Sequence, residues 1–132
     1  MQPLNTRVLW VEDDEDTREV ITFFLEQSGY WVTSAGSSIE ALGLARSEHF
    51  DFYLLGDWRP HGKESNLCEE IHKSDPDGPI LFYSAAAYQT DRQRGMEAGA
   101  NGYLTKPVGF DHLKEAMTRL LNNATSDIDE GV

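Results

Sequence analysis

Two rhythms of apolar and polar positions alternate along the chain. "RVLWV" (residues 7–11) is a short β-branched and aromatic run, the pattern of a buried strand. The acidic stretch behind it leads into Val20, Ile21, Phe24 and Leu25, spaced as one face of a helix that Gly29 closes as a C-cap. "YWVTSA" (30–35) reads as a second strand, and "SSIEALGLARSEH" opens on a capping box, Ser37 to Glu40, with Ala41, Leu44 and Ala45 on one face. The couplet then recurs. A strand over 50–55 precedes a helix held by Leu67 and Ile71, and a strand over 79–84 precedes a helix that Gly99 stops. A strand over 101–105 precedes a helix marked by Phe110, Leu113, Met117 and Leu120. After these the polar, acidic "NNATSDIDEGV" predicts a domain over residues 1–122 and a flexible tail over 123–132.

Five strands, each followed by a helix, imply an α/β fold with a parallel sheet covered on both faces, because parallel strands need right-handed crossover connections. In such sheets ligands bind beyond the carboxyl ends of the strands, where the strand order reverses. A length of 132 residues suits one domain, and 11 Lys and Arg against 23 Asp and Glu leave a net charge of −12. That charge disfavours direct contact with nucleic acid or an anionic membrane surface. No apolar run approaches the ~18 residues that span a bilayer, and "MQPLNTR" lacks the apolar centre of a signal peptide, so a cytosolic protein is expected. The one cysteine, Cys68, has no partner for an internal disulfide and sits beside Leu67, which predicts a buried structural thiol.

The strand ends carry the chemistry. Glu12, Asp13 and Asp14 follow the first strand, Gly56 and Asp57 the third; Ser84 ends the fourth, and Lys106 precedes Pro107 after the fifth. Each has a plain reading alone: acids before a helix suit its dipole, and a Ser ending a strand or a Lys before Pro is common. Together they could hold a hard cation and a phosphoryl group, with magnesium on one or two carboxylates and the lysine and hydroxyl on the phosphoryl oxygens.

"LWVEDDEDTRE", "FDFYLL", Pro60, "PILFYSAAAYQTDRQRGMEAGANGYLTKP" and the last amphipathic helix agree in motif, order and spacing with one family. From Arg7 to Leu121 the chain resembles response-regulator receiver domains, the CheY-like family. The resemblance implies a doubly wound, flavodoxin-like sheet of five strands in the order 2-1-3-4-5. It implies that Glu12 and Asp13 are the acidic pair, Asp13 being a direct magnesium ligand, and that the backbone carbonyl of Trp58 is another. It casts Ser84 as the switch hydroxyl, Lys106 as the phosphoryl-binding lysine and Tyr103 as the aromatic that moves on activation, with a cis bond before Pro107. Implied partners are a histidine kinase or phosphotransfer protein and a downstream effector; a homodimer stays open.

One departure strikes at the chemistry. The family's phosphoacceptor aspartate stands four residues before the loop proline, and four before Pro60 is Gly56. Glycine offers neither a nucleophile nor a carboxylate ligand. Asp57 follows, but successive strand side chains point to opposite faces. A one-residue slip to bring it in would turn "FDFYLL" onto the wrong faces. Pro60, Leu67, Cys68, Ile71 and Ser84 all fall in place without a gap, so the acceptor reads as replaced; Asp57 as a displaced acceptor and extra metal ligand is the alternative. Glu64 stands where the family has a loop glycine, a turn that Gly62 could supply. His49, His61, His72 and His112 show no ligand spacing and read as solvent-facing, while Trp10 and Trp31 read as packing residues. Trp58 could be a lid, and Arg59 could pair with the acidic cluster. The expectation is a degenerate receiver that is not an enzyme, acts through protein contacts and binds magnesium weakly. A magnesium-dependent phosphotransfer enzyme on the same fold is disfavoured, because no Gly-x-Gly-x-x-Gly or Walker loop is present.

Overall fold

The computed structural model describes residues 5–56, 64–84, 89–106, 109–122 and 128–130. Strands and helices alternate as β1 (Arg7–Val11), α1 (Glu15–Gln27), β2 (Trp31–Ala35), α2 (Ser38–Ser47), β3 (Phe52–Leu55) and α3 (Glu64–Ser74). They continue as β4 (Ile80–Ser84), α4 (Gln89–Glu97), β5 (Gly102–Thr105), α5 (Phe110–Asn122) and β6 (Ile128–Glu130). All pairings are parallel and the sheet order is β2-β1-β3-β4-β5-β6. The order 2-1-3-4-5 of the first five strands is the one expected.

Beside the five expected strands a sixth, β6, lies within the stretch 123–132 that was expected as a tail. β6 aligns with β5 in the register Gly102↔Ile128, Tyr103↔Asp129 and Leu104↔Glu130. Composition alone marks this stretch as unable to build a core, but the outer edge of β5 offers backbone N–H and C=O groups. An extended segment can pair with those whatever its side chains.

Alternation along each strand divides the core into two layers. Val8 and Trp10 face Ile21 and Leu25 of α1 and Leu113, Met117 and Leu120 of α5. Leu9 and Val11 face Ala41, Leu67, Cys68 and Ile71 of α2 and α3. Local signals place the helix ends as expected. Ser37 Oγ accepts from Glu40 N at 3.2 Å while Glu40 Oε1 accepts from Gly36 N at 2.9 Å. Gly29 and Gly99 take φ of 100° and 114°, the left-handed backbone that ends a helix. Cys68 is fully buried, as read. Trp10 is a packing residue whose Nε1 donates to Arg18 O at 3.1 Å.

Other side-chain expectations need correcting. Trp31 is 64% exposed, because it begins β2, the outermost strand on its side. Val20 is 54% exposed; α1 turns Ile21 and Leu25 inward instead. His72 and His112 are half-buried rather than solvent-facing. The His72 ring lies against the turn at Gly99, where a Cβ would come within 2.7 Å of His72 Cγ. Among the described residues no helix is long and apolar enough to cross a membrane.

Candidate functional site

The register makes one row of Val11, Leu55, Phe82 and Tyr103, with Ser84↔Thr105 two residues further on, so the carboxyl ends of β1, β3, β4 and β5 open on the same edge of the sheet. Glu12, Gly56 and Lys106 are the first residues past β1, β3 and β5, and Ser84 is the last of β4, fully buried. Gly56 N donates to Val11 O at 2.7 Å and Lys106 N donates to Ser84 O at 2.8 Å, so the pairing of the sheet continues one residue into the site.

Glu12 is the buried acid of this site, its side chain wholly shielded from solvent. Its backbone N donates to Ala35 O at 3.0 Å, and its carbonyl accepts from Arg18 NH1 at 2.8 Å. Its Oε2 accepts from Asp14 N at 3.0 Å, and its Oε1 lies 3.8 Å from Lys106 Nζ. That same oxygen occupies the place of a side chain on residue 56. A Cβ built on Gly56 would overlap Glu12 Oε1 and stand 2.9 Å from Val11 O. The backbone of Gly56 is not left-handed, so its distinctive contribution here is space and not conformational freedom.

Lys106 is held from two sides. Glu12 faces it on one, and the ring of Tyr83, with its centroid 5.2 Å from Nζ, on the other. Burial pushes the Tyr83 phenol above its ordinary pKa, so the ring is neutral beside the lysine. Tyr103 is fully buried, its ring centroid 5.4 Å from that of Phe82. Gly95 lets α4 close over both rings: a Cβ there would approach Phe82 Cε2 to 2.9 Å and Tyr103 Cδ2 to 3.3 Å. Arg92 NH2 donates to Thr105 Oγ1 at 3.1 Å and ties α4 to the end of β5. Asp14 caps α1, and its hydrogen bonds from the Thr17 hydroxyl and backbone N hold its carboxyl below the usual range.

Of the residues singled out from the sequence, Glu12, Gly56, Ser84 and Lys106 meet at this end of the sheet, with Asp13 exposed at its rim and Tyr103 buried behind β4. Asp57, Trp58, Arg59, Pro60, His61, Gly62 and Pro107 lie outside the described residues. Tyr83, Arg18 and Gly95 were not anticipated. A glycine inside a predicted helix is a signal that could have found Gly95; nothing in the sequence marks Arg18 or Tyr83.

The donor set bears on magnesium directly. Magnesium prefers one or two carboxylates with several waters in strict octahedral geometry. Glu12 is committed to Asp14 N and Lys106, and among the described residues no three His, Cys, Asp or Glu side chains converge as a metal set. Asp13 is the more exposed carboxylate of the pair.

Residues 8–118 match the family described as response regulator receiver domain. The response regulator MprA of Mycobacterium ulcerans is 32% identical over 127 residues, covering 96% of this chain and 55% of that protein. The chain thus spans about half the length of such relatives. Among solved structures, a CheY-like receiver domain protein from Methanospirillum hungatei superposes with a TM-score of 0.83 at 28% identity, covering 89% of this chain and 94% of that one. The response regulator TrrA of Thermotoga maritima, in complex with Mg(2+)-BeF, superposes with a TM-score of 0.76 at 30% identity, covering 87% and 98%.

Proposed function

The chain belongs to the response regulator receiver domain family, and on that premise we propose that it serves two-component signalling as a degenerate receiver, one that takes no phosphoryl group at position 56. The observation that carries this reading is the Glu12 carboxylate, which stands where the side chain of residue 56 would be and faces Lys106 at 3.8 Å. Phosphoryl transfer depends on an in-line nucleophile and a bridging cation. Glycine supplies no nucleophile, and Glu12 engages the lysine that would receive the transferred charge. Lys106 and Ser84 can stabilise a phosphoryl group but cannot accept one.

In this reading the domain acts in the cytoplasm through contacts with a kinase or phosphotransfer protein and an effector, and is not itself an enzyme. Magnesium binds weakly, through Asp13 and waters. With Tyr103 buried against Phe82 and Gly95, the face made by α4, β5 and α5 stays in one arrangement, because a switch requires a ligand that prefers the other state.

The test is intact-mass measurement after incubation with a small phosphodonor and magnesium, across the natural chain, Gly56→Asp and Asp57→Ala. Labelling in Gly56→Asp alone supports the reading. Robust labelling of the natural chain that vanishes in Asp57→Ala makes Asp57 the acceptor and overturns it.

A further inference from the structure

The sheet has two outer edges, and they are finished differently. β6 covers β5, whereas among the described residues nothing pairs with the far side of β2. Trp31 N donates to Thr6 O at 2.9 Å and Glu12 N donates to Ala35 O at 3.0 Å, so the odd-numbered residues of β2 turn their backbone groups toward β1. The N–H and C=O groups of Val32 and Ser34 therefore point outward. Such edges are ordinarily blunted by Lys, Pro or a bulge. Trp31–Ala35 carries no charge and no proline, and it keeps register with β1 over its whole length. Trp31 stands 64% exposed on one face of this edge. On the other face a groove of about 200 Å³ separates Ser34 from α1, lined by Arg18, Glu19, Phe23 and Glu26. Phe23 is 65% exposed. Glu19 and Glu26 are exposed and, among the described residues, make no ion pair. Arg18, the cation of the groove, gives NH1 to Glu12 O at 2.8 Å.

We propose that the outer edge of β2 takes up an extended segment of a partner protein as a further strand, one in which basic residues alternate with apolar ones. The backbone of the segment pairs with the open groups of Val32 and Ser34, the mode in which an exposed sheet edge receives a peptide. Its side chains alternate between the two faces. Those on the α1 side meet Glu19 and Glu26, which calls for Lys or Arg, with the aliphatic stems of these residues lying along Phe23. Those on the opposite side meet Trp31 and Thr33, which calls for apolar residues. The spacing suits this: Glu19 and Glu26, seven residues apart on α1, are separated by about 10 Å along its axis, and alternate side chains of a strand by about 6.6 Å, a difference that long basic side chains span. A chain with a net charge of −12 draws such a segment in and repels an acidic one. The inference does not depend on whether position 56 or Asp57 takes a phosphoryl group, since β2 lies at the far side of β1 from β3.

Three capped peptides serve as probes: KIKVK, the acidic EIEVE, and KKKVI, which keeps the composition of the first and loses its alternation. Each is titrated at low salt into ¹⁵N-labelled protein, and hydrogen exchange of the β2 amides is followed with and without peptide. The expected result is saturable binding of KIKVK with Kd of about 1 mM or tighter. Exchange should slow at Val32 and Ser34, whose amides point outward, and stay unchanged at Trp31 and Thr33, which already face β1. KKKVI should bind about tenfold more weakly, and EIEVE not at all. Glu19→Gln with Glu26→Gln, both at exposed positions, should weaken KIKVK about tenfold and flatten its salt dependence. Ser34→Pro removes one outward N–H, which an edge strand tolerates, and should abolish binding while leaving the pairing with β1 intact. Absence of saturable shifts at ~10 mM KIKVK, equal binding of KKKVI or EIEVE, or undiminished binding in either variant would overturn the proposal. Shifts confined to α1, with no protection at Val32 and Ser34, would also overturn it, by making the helix face the docking surface in place of the strand edge. If Ser34→Pro fails to fold, the comparison of KIKVK with KKKVI and the exchange pattern decide.

Discussion

Introducing an acidic side chain at position 56 is the most informative perturbation. In Gly56→Asp the new Cβ takes the place of Glu12 Oε1, so the Glu12 carboxylate must swing away from Asp14 N and Lys106. Two carboxylates then share a site with one lysine. At an effective dielectric of about 20 and a separation of about 5 Å their repulsion is ~3 kcal/mol. Lys106 can neutralise either acid but not both. Giving up the charge-assisted bond from Asp14 N adds ~1.5–3 kcal/mol unless it re-forms, and replacing a glycine in an ordinary backbone conformation returns ~0.4–1 kcal/mol. Attraction of the new carboxylate to Lys106 at about 7 Å returns ~2.4 kcal/mol at the same dielectric, so the net loss is about 2 kcal/mol, or a melting temperature lower by about 6–8 °C for a domain of this size. The assay is thermal or urea unfolding of both proteins in EDTA and again with magnesium. The variant should be the less stable in EDTA, and magnesium at a hundredfold over its Kd should return ~2.7 kcal/mol to it, while moving the natural chain little. A Gly56→Asp protein as stable as the parent in EDTA, or a parent stabilised by magnesium as much as the variant, would refute the argument that Glu12 fills the place of a side chain at position 56.

Three further outcomes can be checked on the same protein. Asp14→Ala should lower the melting temperature at neutral pH. Because the folded pKa of Asp14 is depressed, its contribution is full above the ordinary value of 3.8 and fades as pH falls through the lower folded value. A stability difference that persists unchanged at the acid end of a pH series would contradict this. Cys68, buried and with its thiol pushed up to about 12 by desolvation, should react with a thiol reagent only after unfolding, so fast stoichiometric labelling of native protein would count against its burial. Gly95→Ala should gain ~1 kcal/mol of helix propensity and lose ~1–3 kcal/mol by crowding Phe82 and Tyr103. A modest destabilisation should result, with the largest chemical-shift changes at those two rings; shifts confined to α4 would show that the rings do not fill the glycine's place.

What could be read from the sequence follows from the kind of physics involved. β1, β3 and β4 are nearly all apolar because both faces of a central parallel strand are covered, and their identity as strands survives ignorance of everything else. Ser37 and Glu40 announce the start of α2 through hydrogen bonds only three residues apart. That Glu12, Gly56, Ser84 and Lys106 share one edge was legible because the carboxyl ends of parallel strands point the same way. Where Glu12 puts its carboxylate was not, since that depends on space released by a residue 44 positions away, the distance from 12 to 56. Trp31 was misjudged because strand pattern says nothing of which strand lies outermost. β6 escaped because backbone pairing at an edge leaves no side-chain signature.

The short strand at the end of the chain alters how this molecule can meet its neighbours. A five-stranded version would end on β5, whose buried Tyr103 and Leu104 belong to a strand with open hydrogen-bonding groups along its outer side. Such an edge is a template for unplanned association with any extended peptide. The chain closes it with its own Ile128–Glu130, moving the rim of the sheet outward by one strand. Three residues are few, so the new rim is short. A net charge of −12 adds a long-range repulsion between copies of the chain.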